Sequence, residues 1–212
     1  MTEPVIQPEV TRTRREALAL GLALSACCGG AWAQTQPQSQ TPPTPRAMRP
    51  QEGDMLVRAA GSAGAGEPIR PDDLVRDAPQ VMAWAKDPAS GTVRDGSRLN
   101  QVLLLRLDPD SLDAETRTRS VEGVVAYSSN CTHQLCPVSQ WRQDAGVLHC
   151  PCHQSEFDPK QGGKVVGGPA QRSLAALPIK VADGVKAGEG AEAANGVLIV
   201  AKPFVGRVGA SS

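Results

Sequence analysis

Beyond position 53 the apolar residues fall into short runs, among them Val81-Met82-Ala83-Trp84-Ala85, 101–107 and 121–127, and each run meets Gly, Pro, Asp or Asn within a few residues. Runs this short with turn residues between them predict strands, because a helix needs an apolar stripe sustained over about ten residues or more. Further strands are expected at 146–149, Lys164-Val165-Val166, 177–181 and 197–201. The segment Asp87-Pro88-Ala89-Ser90-Gly91 reads as a turn. The Gly/Ala/Glu-rich stretch 183–196 reads as a long mobile hairpin loop between the last two strands. Pro71 followed by Asp72 and Asp73 marks a single helical turn within 70–76. The pattern predicts an all-β domain over 53–208.

The residues ahead of it differ in kind. Between 34 and 52 the chain is mostly Gln, Pro and Thr, which bury too little surface to offset the entropy of ordering, so a disordered linker is expected. Before that, Thr13-Arg14-Arg15-Glu16-Ala17-Leu18 opens an Ala/Leu-rich run ending in Ala31-Trp32-Ala33. Residues 1–33 therefore read as a twin-arginine export signal with a helical apolar stretch, cut after Ala33. Leu24-Ser25-Ala26-Cys27 resembles a lipobox, so acylation of Cys27 is a competing outcome that would tether the protein. Retention as a spanning anchor is disfavoured, since the run falls short of the ~20 apolar residues that cross a bilayer. Each outcome places the domain outside the cytoplasm. The expected location is the periplasm, with membrane contact only through Cys27 or an uncut signal.

Composition sharpens this picture in three ways. The 212 residues suffice for one domain and peripheral segments, so one functional site is expected. Lys plus Arg and Asp plus Glu stand at 22 each, which leaves no basic footprint for nucleic acid. Aromatic residues are 3% of the chain against 21 glycines and 18 prolines, a balance that suits short strands and many turns.

The chemistry is concentrated in two boxes placed in loops between strands. The first reads Cys131-Thr132-His133-Gln134-Leu135-Cys136 and the second Cys150-Pro151-Cys152-His153-Gln154-Ser155. Two structural disulfides would suit an exported chain but leave His133 and His153 without a role. A structural zinc site needs C-x2-C and H-x3-5-H spacings that neither box supplies, and the absence of C-x-x-C excludes a thioredoxin-like site. His149 precedes Cys150 but reads as a strand residue rather than a ligand, and Trp84 and Trp141 read as packing residues.

The paired boxes C-T-H-x-x-C and C-P-C-H-x-S resemble those of the Rieske [2Fe-2S] family, in the branch with an extra cysteine in each box. The resemblance implies one [2Fe-2S] cluster, with Cys131 and Cys150 on one iron and His133 and His153 on the other. It also implies a disulfide between Cys136 and Cys152, and a base of antiparallel sheets with a small cluster-binding subdomain at one end. The cluster loops would be 130–137 and 150–158. Gly167-Gly168-Pro169-Ala170 resembles the family's proline loop (167–170), so Gly168 and Pro169 should cover the cluster. Two departures stand out. Leu135 occupies a place where Gly is usual, and Phe157 stands where quinol-oxidising members carry Tyr, although Ser155 keeps its hydroxyl.

The function implied is an extracytoplasmic one-electron carrier, a subunit or partner of a respiratory oxidoreductase (an arsenite-oxidase-like small subunit or a free periplasmic relay), rather than a catalyst with its own substrate pocket. The redox partner would dock at the histidine tip, where His133 and His153 should each present a free ring edge. Such a partner could be a molybdenum-enzyme large subunit, as in an arsenite-oxidase-like enzyme, a c-type cytochrome, or a quinol-oxidising cytochrome complex. A disulfide-stapled β module without iron is the alternative of another class.

Overall fold

The computed structural model describes residues 42–182 and 196–210. The export signal, with Arg14, Arg15, Cys27 and Ala33, and the expected loop at 183–195 lie outside the described residues.

Strand β3 (Val102–Arg106) is the hub, because Val102-Leu103-Leu104-Leu105 is apolar at every position and buried on both faces. Alternation sends Val102 and Leu104 into one core, with Leu56, Ala83, Ala126, Leu177 and Leu198. Leu103 and Leu105 enter another core, with Tyr127, Leu148, Phe157, Cys131 and Cys150. Around β3 lie β1 (Met55–Arg58), β2 (Val81–Lys86), β4 (Val124–Ser128), β9 (Ile179–Val181) and β10 (Leu198–Val200). They form one antiparallel sheet in the order β4-β3-β2-β1-β10-β9. The second sheet is a meander of β5 (Gln140–Arg142), β6 (Val147–Cys150), β7 (Ser155–Asp158) and β8 (Lys164–Gly167). The expected all-β architecture of a base with a smaller subdomain is observed. The two parts share the core around Leu103, and Tyr127 of β4 donates its hydroxyl hydrogen to Pro159 O at 2.7 Å, where β7 turns toward β8.

Besides the unexpected strands β1, β5 and β7, three features depart from expectation. A six-residue helix, α1 (Ala114–Arg119), stands where none was predicted; Asp113 caps it by accepting from Thr116 N at 2.6 Å. Strand β4 begins later than 121, because Glu122 and Gly123 adopt left-handed backbone angles and form a turn. The third correction concerns the linker. Within its described part, Arg46 pairs with Asp95 at 2.8 Å, Asn100 Nδ2 donates to Met48 O at 2.7 Å, and Arg49 Nη1 donates to Leu99 O at 2.8 Å. Residues 44–52 are thus a strap laid on the loop before β3, ordered by hydrogen bonds and by burial of Pro50. Composition reported the shortage of apolar side chains and not these polar anchors. The expected helical turn is present as Pro71–Asp73.

Candidate metal centre

The first box leaves β4 as a tight loop in which Cys131 N donates to Cys136 O at 2.8 Å and Leu135 N to Cys131 O at 3.0 Å. Closing so small a ring forces one residue into the left-handed region, and Leu135 takes it at φ 62°. A side chain there costs roughly 1–2 kcal/mol. The Leu135 side chain lies against Gly209, so close that a Cβ on Gly209 would lie 2.8 Å from it.

The second box is the turn between β6 and β7. Cys150 pairs with Ser155 across it, leaving residues 151–154 as the hairpin, with Gln154 at φ 61°. Gly168 lies directly against this turn: its φ is +75°, and a Cβ there would sit 2.4 Å from Gln154 O. Ala170 N donates to Ser155 Oγ at 3.3 Å, which seats the 167–170 loop on the second box. Thr132 Oγ1 donates to Arg172 O at 2.6 Å and ties the first box to the end of the same loop. A cleft of about 380 Å³ lined by Thr132, His133, Pro169 and Gln171 lies between them.

Cys136 and Cys152 form a disulfide, with Cα atoms 6.4 Å apart. Cys131 and Cys150 are free and buried. Burial pushes the Cys150 thiol above its ordinary value and the neighbouring Cys131 adds to the shift, while the N–H groups of Cys152 and His153 pull it down. The rings of His133 and His153 meet edge to face with centroids 4.7 Å apart. His153 is exposed and His133 half-buried, with its Nδ1 buried and without a hydrogen-bond partner. The Sγ atoms of Cys136, Cys150 and Cys152 lie within 4.8 Å of one another, but two of them are spent in the disulfide. Phe157 is fully buried, packed with Leu148, Cys131 and Cys150.

Residues 90–178 match the Rieske [2Fe-2S] domain. The chain is 36% identical over 134 residues to the cytochrome bc1 complex Rieske iron-sulfur subunit of Streptomyces lividans, covering 62% of this chain and 76% of that protein. It belongs to the Rieske family. A protein of Haloferax mediterranei described as a respiratory nitrate reductase Rieske subunit is 39% identical over 117 residues, covering 55% of this chain and 47% of its own length. The match takes in only 37% of the Streptomyces coelicolor bc1 Rieske subunit. The plasma membrane Rieske protein of Synechocystis aligns over 47% of this chain and 75% of its own, at 26% identity and a TM-score of 0.31.

Membership implies one [2Fe-2S] cluster, and the residues present fit it. The two free buried thiols lie beside each other, His133 follows Cys131 by two residues and His153 follows Cys150 by three, and the two rings pack edge to face with His133 Nδ1 buried and unpartnered. That is a two-sulfur, two-nitrogen donor set of the kind a Rieske centre uses. Sequence reading missed His149 and Gln140 as partners of the second box. His149 is 2% exposed, with Nδ1 2.9 Å from Gln140 Oε1 and Nε2 3.0 Å from Gln154 Oε1. The signal available was a polar residue in a buried strand position, which must find partners.

Proposed function

We propose that the chain is an extracytoplasmic one-electron carrier that holds its cluster through Cys131 and Cys150 on one iron and His133 and His153 on the other. The carrying observation is that two free buried thiols lie beside each other while the imidazoles two and three residues along from them pack edge to face, one ring exposed. When bound, the cluster supplies a one-electron couple whose potential is raised because neutral imidazoles replace two anionic thiolates. The chain's own groups do the rest. Buried walls keep water from the thiolates, N–H groups of Cys152 and His153 point at Cys150 Sγ, and His153 offers an edge to a partner. The disulfide at the exposed Cys152 supports an oxidising compartment, in keeping with the arginine pair at 14–15.

The test is substitution with iron counting. Cys131→Ser should abolish the red-brown colour and the reduced-state paramagnetic signal averaging below the free-electron g value, whereas Cys136→Ser should retain both. The reverse result would overturn the ligand assignment, and a colourless wild type grown with ample iron would overturn the carrier itself.

The docking surface has a property of its own. No Asp, Glu, Lys or Arg occurs in 129–141, 145–155 or 165–171, in a chain that is 21% charged. Partner docking at this tip should therefore lack electrostatic steering. Electron-transfer rates to the physiological partner should change less than about threefold between low and high salt, against the roughly 10- to 1,000-fold range that steering produces. Stopped-flow traces over that range check it.

A second reading, a subunit of a quinol-oxidising cytochrome complex, is favoured by the bc1 subunits among the relatives. Against it stands Phe157. A hydroxyl donating to a cluster sulfur stabilises the reduced form more than the oxidised form, because the reduced form carries more negative charge. Phe157→Tyr should raise the potential by about tens of millivolts, where roughly 59 mV corresponds to 1.4 kcal/mol for one electron. Ser155→Ala should lower it. If the new Tyr hydroxyl finds no sulfur, the potential stays put and stability falls by about 1–3 kcal/mol, since a buried hydroxyl is then unpaired. Voltammetry and a thermal melt separate these outcomes.

A further inference from the structure

The hairpin that carries His153 contains a non-glycine residue in a left-handed conformation, and the side chain of that residue makes two polar contacts. Gln154 has φ 61°. Its Nε2 donates to Pro151 O at 3.0 Å, spanning the turn, and its Oε1 lies 3.0 Å from His149 Nε2. His149 is itself held inside the second sheet. It pairs with Gln140 on one side and Glu156 on the other in the strand registers, with Nδ1 2.9 Å from Gln140 Oε1. Arg142 Nη2 also lies 3.0 Å from His149 Nε2, and Arg142 Nη1 donates to Glu156 Oε1 at 2.6 Å. Arg142 can only donate and Gln154 Oε1 can only accept, so the two compete for one ring nitrogen. With the proton on Nδ1 the ring donates to Gln140 Oε1 and Nε2 accepts from Arg142; with the proton on Nε2 it donates to Gln154 Oε1, and the Gln140 amide then turns its nitrogen toward Nδ1.

We propose that His149 and Gln154 form a clamp that fixes the 151–154 hairpin in one conformation, making both of them positioning residues for His153. Two anchors on one side chain convert a strained backbone into a defined one: Pro151 O holds the near end of the turn and His149 ties it to the sheet interior. A glycine at 154 would remove the strain and both anchors together, leaving a turn with more freedom and no lock. The role depends on the proposed ligand assignment only for its effect on the cluster, because the hairpin geometry stands without metal.

The experiment uses the full chain as purified, with iron content measured on every sample. The variants are His149→Leu, Gln154→Leu, Gln154→Gly, His149→Gln and Arg142→Met, read by amide hydrogen exchange and by the reduced-state paramagnetic spectrum. Exchange at the amides of 152–154 should accelerate at least about tenfold in the two leucine variants and in Gln154→Gly, with β2 and β3 unchanged. The g-value distribution should broaden in the same three. His149→Gln, whose amide can still donate to Gln154 Oε1, should restore both readouts, and Arg142→Met should leave them at wild-type values. Wild-type exchange in the leucine variants would overturn the clamp, as would acceleration spread evenly through the base sheet. Loosening in Arg142→Met equal to that in His149→Leu would also overturn it, by moving the role to Arg142. Failure of the ligand assignment shows separately, as absent iron in the wild type, and leaves the exchange measurements fully readable.

Discussion

Replacing Cys136 and Cys152 together by Ser should lower stability by about 3 kcal/mol, the loop-closure value for a bridge spanning some 15 residues, and the loosening should show first at the tip. The bridge joins positions 16 apart in sequence, one in each box, and Cys152 is on the surface. It acts mainly by narrowing the unfolded ensemble, and then by holding two strained turns, around Leu135 and Gln154, in register with each other. The base sheet has its own apolar core around Leu104 and does not depend on the bridge. The melting midpoint should therefore fall by roughly 6–12 °C, at 2–4 °C per kcal/mol for a domain of this size. Hydrogen exchange at 131–136 and 151–154 should rise well before exchange in β2 and β3. The four proposed ligands are untouched by the substitution, so iron should still load, with faster loss to a chelator. An unchanged midpoint, or a tip and base that loosen together, would show that the bridge carries no local load.

The same contrast between base and tip explains what could be read from the sequence. Strand β3 was legible because Val102-Leu103-Leu104-Leu105 leaves no polar side, and the all-β class followed from runs of that length. The two boxes were legible because metal-ligating residue types at fixed spacing are rare outside such sites. Strands β5 and β7 were not, since Gln140-Trp141-Arg142 and Ser155-Glu156-Phe157-Asp158 each carry one large apolar residue among polar ones. Their strand character comes from pairing with β6, a long-range cause that local pattern does not contain. The strap over 44–52 was missed for a related reason: its order rests on Asp95, Leu99 and Asn100, about fifty residues away. At Leu135 the sequence raised a question that only coordinates answer. The residue does adopt the left-handed angle, with its side chain lying against Gly209.

Gly168→Ala should be among the most damaging single substitutions away from the cysteines and histidines, at about 2–5 kcal/mol. Two costs combine. The left-handed angle of +75° penalises any side chain by roughly 1–2 kcal/mol. The added Cβ would then stand 2.4 Å from Gln154 O and 2.6 Å from Ser155 Cα, and both are backbone atoms of a hairpin that cannot swing aside as a flexible side chain would. Overpacking of this kind costs a further ~1–3 kcal/mol. The relief available is for the 167–170 loop to lift, which breaks the 3.3 Å bond from Ala170 N to Ser155 Oγ and widens the cleft beside His133 and Pro169. Freed of that donor, the Ser155 hydroxyl loses its fixed orientation next to Cys150, so the potential should fall in the same direction as in Ser155→Ala. The neighbouring Gly167→Ala is the control. A Cβ there approaches Glu156 Oε2 at 2.9 Å, the far end of a side chain that can turn away at the loss of its partly exposed pair with Arg142, and its backbone angle is ordinary, so the cost should stay at about 1 kcal/mol. Thermal melts and voltammetry on the pair decide the matter: equal losses in the two variants, or an unchanged potential in Gly168→Ala with a large loss of stability, would mean that the loop is a structural cap with no hold on Ser155.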